Sequence, residues 1–391
     1  MSELDEVLSA LETSADDVAL ATVVGVQGST YRREGARLVI PAEGDTVGNI
    51  SGGCLEGDVI QTAREVLASG APQVLHFDLT ADDEAVWGWG LGCNGAIDVL
   101  VEPAANARPY VAALQAARRM HRPVALVTVV EGPSTGARLI VRPDGSTEGD
   151  LGEEARTAAL DALATGRSAT VALDPDGTWA FVEVLQPPLR LVVCGAGHDA
   201  IPVVEFGARI GWRVEVVDDR RAMLNADRFP WASRLVHSQP GAAAEAVGAD
   251  DRTYVVVMSH NFLRDAAYLR SFLASPVAYL GMLGPSSRLE RLLDSLAADG
   301  FPRPSEDEPL TEGVRVVDGR RFAVEAAGER GPLQLSRVHG PAGLDVGAEG
   351  PEEIAWAIVA EVLAVHRRAG AGFLRDRGGP IHPRAAMETV G

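Results

Sequence analysis

Two hydrophobic rhythms divide the chain. From residue 189 onward, Leu189–Val193, Arg213–Val217, Arg234–His237, Tyr254–Met258 and Val277–Leu280 are short apolar runs with little polar alternation. Strands read this way when a parallel sheet is covered on both faces. Helical stretches at Asp199–Ile210, Leu263–Ala274 and Ser286–Ala298 separate several of these runs, which predicts a doubly wound, Rossmann-like α/β domain. A last helix is expected over Pro351–Arg367, with proline at its first position and Ile354, Ile358, Val362 and Val365 as its apolar stripe.

The first half is mixed α/β. Strands are expected at Val18–Val26, Arg37–Ile40, Val74–Phe77, Ile97–Val101, Val124–Val130, Arg138–Val141, Ser168–Leu173 and Thr178–Val184. Leu55, Val59, Ala63, Val66 and Leu67 fall at helical spacing, so a helix should run from Cys54 to Ala68 and end near Gly70. Tyr110–Met120 is a second helix. No internal repeat stands out. Gln186-Pro187-Pro188 marks the boundary, because two prolines stop a strand and stiffen a connection. The expected organisation is a domain over 1–186, a Rossmann-like domain over 187–345, and a C-terminal helix and tail over 346–391.

Composition narrows the function. The chain has 391 residues, 46% of them hydrophobic and 23% charged, which is ordinary for a globular protein of two domains. Its formal charge of -20 repels phosphate backbones and anionic headgroups, so neither a nucleic acid nor a membrane is an expected partner. All 35 basic residues are arginine, which removes a lysine-bearing phosphate loop, a Schiff base and a lysine general base. Three cysteines without a CxxC spacing do not read as a disulfide framework or zinc ribbon. The acidic start lacks the features of a signal peptide, and no apolar run is long enough to span a bilayer. The cytoplasm is the expected location.

Two constellations carry candidate chemistry. Leu191-Val-Val-Cys-Gly195-Ala-Gly197-His198-Asp-Ala200 has the form strand, G-x-G-x-x-A, helix. In that pattern Gly195 makes the turn, Gly197 lets a pyrophosphate approach, and Asp218 at the end of the next strand accepts a ribose hydroxyl. NAD(P) or another nucleotide is the implied ligand; glycines that serve packing alone are the plainer reading. His198 suits a phosphate contact or a helix start equally. His260 follows a later strand, where ligands meet the crevice.

The other constellation lies in the first half. Ser51-Gly52-Gly53-Cys54 opens the expected helix, where the dipole would favour a thiolate. Cys93 sits in a second glycine-dense loop with Gly92. Two such thiols could bind a soft metal centre, relay sulfur or form a regulatory disulfide; each could equally fill a small space. Arg32, in the turn Gly28–Gly35, could grip an anion, although on spacing alone a solvated hairpin turn is the plainer reading.

Taken together these stretches resemble the XdhC/CoxI family, accessory factors of molybdenum hydroxylases such as xanthine dehydrogenase and carbon monoxide dehydrogenase. The resemblance is carried by GSTYRREGARLVI at 28–40, GNISGGCLEGDV at 48–59, GLGCNGAIDVLVE at 90–102, VVCGAGHDAIPVVEFGARIGWRVEVVDDR at 192–220, SHNFLRDAAYLRSFL at 259–273, AYLGMLGPSSRLERLL at 278–293 and RVHGPAGLDVGAEGPEEIAWAIVAEVLA at 337–364. It implies a chaperone that binds molybdenum cofactor, protects it during sulfuration and inserts it into a xanthine dehydrogenase-like client. A sulfur donor such as a cysteine desulfurase and a homodimer are further implied partners. The glycine loops, with Gly52, Gly53 and Gly92, would pack on the pterin. Arg32 and the Cys54 helix start would hold the phosphate. Cys54 or Cys93 would contact molybdenum or pass sulfur. Where other members often carry Cys-Gly-Gly, this chain has Cys93-Asn94-Gly95.

The chain does not resemble the dehydrogenase itself, since it has no iron–sulfur cysteine run. Two other readings stay open at this level: an NAD(P)-dependent oxidoreductase working through Gly195, Gly197 and Asp218, and a sulfur carrier working through Cys54.

Overall fold

The computed structural model describes residues 3–13, 17–78, 94–175, 177–298, 315–317, 320–322 and 337–376. It falls into two compact units, Met1–Pro188 and Leu189–Gly391.

The first unit is built twice from one pattern. Helix α1 (Glu3–Thr13) leads into strands β1 (Val18–Ser29), β2 (Arg37–Pro41) and β3 (Val47–Gly48), helix α2 (Glu56–Ser69), then β4 (Gln73–Asp78) and β5 (Asn94–Pro103). Helix α3 (Ala104–Arg119) leads into β6 (Val124–Glu131), β7 (Arg138–Val141), β8 (Thr147–Glu148), α4 (Gly152–Thr165), β9 (Ala169–Ala172) and β10 (Trp179–Leu185). The first sheet has the order β3-β2-β1-β5-β4 and the second β8-β7-β6-β10-β9, so the two are topologically identical.

The correspondence extends to side chains and corrects the expectation of no repeat. Gly35-Ala36-Arg37-Leu38 returns as Gly136-Ala137-Arg138-Leu139. Leu20 lies opposite Val39 and Glu102, and Leu126 lies opposite Ile140 and Glu183. Gly48 and Gly149 share a positive φ, and at each a Cβ would collide with the carbonyl oxygen of the matching arginine, Arg37 or Arg138. Only glycine fits such a site.

Each copy reaches into the other. Arg37 forms a two-pronged ion pair with Glu183, and Arg138 forms one with Glu102; all four side chains are buried. Burial pulls the Arg37 pKa down, but Glu183 more than offsets this and the net shift is upward. Val24, Leu100 and Phe181 fill the space between the sheets. Helix α2 covers one sheet's other face, through Val59, Ala63 and Val66, and α4 covers the other's, through Ala155 and Ala159.

The offset between matched positions hides this repeat in the sequence. It is 106 at Leu20/Leu126, 101 at Arg37/Arg138, 96 at Glu56/Gly152 and 81 at Glu102/Glu183. Over these stretches the first copy is therefore longer by five, five and fifteen residues, divided between longer strand ends and the β1–β2, β3–α2 and β4–β5 connections. Those connections run to 7, 7 and 15 residues against 6, 3 and 6 in the second copy.

The second unit is a parallel six-stranded sheet of order β13-β12-β11-β14-β15-β18. Its strands are β11 (Arg190–Cys194), β12 (Arg213–Asp218), β13 (Arg234–His237), β14 (Thr253–Val257), β15 (Tyr279–Met282) and β18 (Val338–His339). A separate ribbon pairs β16 (Arg315–Val317) with β17 (Arg320–Phe322). Helices α5 (Ala200–Arg209), α6 (Ala243–Val247), α7 (Phe262–Leu273) and α8 (Ser286–Ala298) cross between or flank the strands, as the unbroken apolar runs predict. Helix α9 (Gly350–Arg367) belongs to this unit and packs Ala355, Ile358 and Val362 against α5 and the sheet. The sheet order reverses between β11 and β14, the place where such folds bind ligands.

Candidate functional site

In the first sheet, β1 ends and β5 begins at one edge, since Ser29 pairs with Asn94. Strand β2 starts there, β3 ends there beside Leu38, and β4 ends there opposite Ala96. All three lengthened connections thus leave from the same end of this sheet. They hold Arg32, Gly52, Gly53, Cys54, Gly92 and Cys93. Residues 79–93 lie outside the described residues, and the expectations placed on Gly92 and Cys93 lie there with them.

The β3–α2 connection differs from the expected helix start. Helix α2 begins at Glu56 rather than Cys54. The preceding residues wrap around Ser51, whose Oγ accepts the amides of Gly53, Cys54 and Leu55 at 3.1, 3.2 and 3.2 Å. Ser51 Oγ donates to the Glu56 carboxylate, which also accepts the Ser51 amide at 3.0 Å. The amides expected to cradle a phosphate therefore already have partners, one of them backed by a negative charge. Cys54 is a half-buried free thiol packed against the α2 core.

Arg32 is also engaged. Its guanidinium pairs with both carboxylate oxygens of Glu3, at 2.5 and 2.6 Å. An anion would have to displace Glu3, whereas the neighbouring Arg33 is exposed. Tyr31, to which spacing assigned no role, is 68% exposed and sits over Gly52. Ser51 and Glu56 were missed as well. The signal was a serine five positions before an acid at a helix start, a wider spacing than the usual capping box.

In the second unit Gly195 has φ +112, and a Cβ there would lie 2.7 Å from the Cα of Ser259. Close packing of β11 on β14 by itself requires this glycine. Asp218 is turned inward and 1% exposed. It accepts the Ala196 amide at 2.7 Å, and the Arg220 amide, Nε and Nη2 at 2.7, 2.9 and 2.8 Å. Burial raises its pKa, but Arg220 and the Ala196 amide prevail and hold it at about 2. Both oxygens expected to meet a ribose are thus occupied.

Gly197 faces Asp199, whose Oδ1 would lie 2.7 Å from a Cβ placed there. That carboxylate, which spacing overlooked, holds His260 Nε2 at 2.5 Å. His260 is exposed and adopts a left-handed φ of 55°. The geometry joins Gly197, Asp199 and His260 at the reversal point of the sheet, with exposed His198 in the same turn. Cys194 is fully buried, which pushes its thiol pKa well up and leaves it unreactive.

Among the described residues no trio of His, Cys, Asp or Glu side chains is arranged for a metal ion, and no helix is long and apolar enough to cross a membrane.

Comparison with known proteins agrees with this architecture. The XdhC and CoxI family model matches residues 11–78 and 117–174. The XdhC Rossmann domain model matches residues 191–310 and 315–362. The chain is 27% identical to a probable xanthine dehydrogenase subunit of Bacillus subtilis (strain 168), over 94% of this chain and 99% of that protein. It is 22% identical to the molybdenum cofactor insertion chaperone PaoD of Escherichia coli (strain K12), over 82% of this chain and 85% of that one. A crystal structure described as a xanthine dehydrogenase from Bacillus halodurans superposes with a TM-score of 0.73 at 26% identity, covering 96% of this chain and 98% of the other. With one model on each unit, in chain order, the chain belongs to the XdhC and CoxI family.

Proposed function

We propose that this protein is an accessory factor that takes molybdenum cofactor as cargo, shelters it through sulfuration and delivers it to an apo-enzyme of the xanthine dehydrogenase type. The observation that carries this reading is the inequality of the two copies in the first unit. Both keep the same strands, buried arginines and turn glycines, so both satisfy the fold. Only the first lengthens the segments that join its elements at one end of its sheet, and these segments hold two of the chain's three cysteines. Residues that a fold does not need, gathered at one place, are best explained by a ligand.

The named relatives support the cargo and the client. One is called a molybdenum cofactor insertion chaperone, and the Bacillus subtilis relative carries the name of xanthine dehydrogenase. Three cysteines are too few for a Cys₄ iron–sulfur cluster, which favours a helper over the redox enzyme. The cargo's phosphate would fall to exposed Arg33, because Arg32 is held by Glu3. Cys54 is the accessible described thiol for molybdenum or for a sulfur atom handed over by a donor protein. The second unit supplies no comparable argument for nicotinamide chemistry, because Asp199 and Asp218 occupy the places where a dinucleotide would bind.

The test is retention. Purified protein is mixed with isolated molybdenum cofactor, separated by gel filtration and assayed for pterin. Co-elution with wild-type protein and reduced co-elution with Cys54→Ala are expected. No pterin in the wild-type fraction would overturn the proposal. Unchanged retention in the variant would remove Cys54 as a ligand.

A further inference from the structure

We infer that Tyr31 is the stacking platform for the flat ring system of the cargo, a positioning residue that selects a planar heteroaromatic ligand. This rests on the receptacle reading above and adds to it a residue and a mode of recognition.

Tyr31 lies in the first lengthened connection. The counterpart turn of the second copy, Glu131-Gly-Pro-Ser-Thr-Gly136, has no aromatic residue. The hairpin therefore folds without one. Yet this ring stands 68% exposed, while the large side chains of the same sheet, such as Leu38, Ile40, Ile97 and Leu100, are buried.

Its orientation follows from three distances. A Cβ placed on Gly52 would lie 3.8, 3.9 and 4.0 Å from Cγ, Cδ1 and Cδ2 of Tyr31. Three nearly equal distances require an approach from above the ring plane, since an approach at the edge would favour one carbon over the others. One face of the ring is thus turned to Gly52, next to Cys54 in the chain. The high exposure leaves the opposite face to solvent.

The turn that carries the ring is anchored on both sides. Thr30 Oγ1 donates to the Arg32 carbonyl at 2.7 Å, and the Arg32 guanidinium is clamped by Glu3 of α1. Holding the backbone in place lowers the ordering cost of binding. An aromatic ring with one face toward the protein and the other open stacks on any flat π-system, and its phenolic tip adds a polar contact. A pterin bicycle is such a system. The neighbouring exposed arginine suits the anionic part of the same ligand.

The test uses the full chain and isolated molybdenum cofactor, with wild type, Y31F, Y31L and Y31A compared by equilibrium dialysis and pterin assay. The side chain is exposed, so all four should share one thermal unfolding midpoint. Y31F should bind within about twofold of wild type, because it keeps the ring, and Y31A should bind about 5- to 100-fold more weakly, the range of one lost stacking contact. Y31L should fall near Y31A, since leucine keeps apolar area without a π-face. If Y31A matches wild type while wild type binds, stacking is overturned and the receptacle reading stands. If Y31F is as weak as Y31A, the hydroxyl rather than the ring face acts, and the inference fails. If wild type retains nothing, the receptacle reading itself falls.

Discussion

Arg37 Nη1 lies 3.0 Å from Glu183 Oε1, joining two strands that are 146 residues apart in sequence. The same arginine donates to the Gly35 carbonyl at 2.7 Å. Arg138, its counterpart, donates to Glu102 at 2.8 Å and to the Gly136 carbonyl at 2.9 Å. Each copy thus supplies the arginine for one pair and the glutamate for the other, and the two sheets are held in one mutual register.

Breaking one of these pairs should be severe. Glu183→Gln or Arg37→Ala leaves a buried charge without its partner, so a loss of about 3–5 kcal/mol is expected in urea unfolding. Replacing both partners together with Met and Leu should recover most of it. If the single variants cost no more than the double, the pairs are incidental to stability.

The second copy is a natural version of the first with shorter connections. Deleting residues 51–55, so that Ile50 joins Glu56 as Leu151 joins Gly152, should leave the far-ultraviolet circular dichroism and the cooperative unfolding intact. Cofactor retention should disappear. A variant that unfolds would show that the Ser51 turn is needed by the fold, against the assignment of this connection to ligand binding.

Asp218 makes the second unit pH-sensitive on the acid side. Its pKa is held at about 2 in the folded protein against an ordinary value of 3.8. The stabilisation is complete above pH 4 and is lost as the pH falls toward 2, because the unfolded chain takes up the proton first. Asp218→Asn should therefore cost about 2 kcal/mol at neutral pH and flatten the stability curve between pH 4 and 2. Identical acid limbs for variant and wild type would contradict this.

The Rossmann-like unit should bind nicotinamide dinucleotides poorly. The Asp199 carboxylate stands beside Gly197, where a pyrophosphate would approach. Titration with NADH should give no saturable change in nucleotide fluorescence. A saturable curve that Asp199→Ala leaves unaltered would show that this carboxylate does not guard the turn.

Local pattern alone was enough for five of the six parallel strands of the second unit and for helices α5, α7, α8 and α9, because each of those strands is a short apolar run and each helix has its own stripe. The short elements α6 and β18 carried too few residues to show one. It was also enough to mark the break at Pro187-Pro188, since proline acts through its own backbone. The starting point of α2 was less legible. Leu55 is at helical spacing with Val59, but Ser51 and Glu56 draw the amides before α2 into a turn.

By itself, then, the sequence determined most of the longer strands and helices and the Rossmann-like module, but not helices α1 and α4 or the two-residue strands β3, β8 and β18. Only the tertiary structure decided which of the candidate side chains are free. Arg32 is spent on Glu3, 29 positions away, and Asp218 is spent on Arg220 and Ala196. The duplication too became visible only in the sheets, because unequal connections break the period along the chain while hydrogen-bonded strand pairing preserves it in space. Partnership between polar groups depends on distance in three dimensions, and no spacing along a chain encodes it.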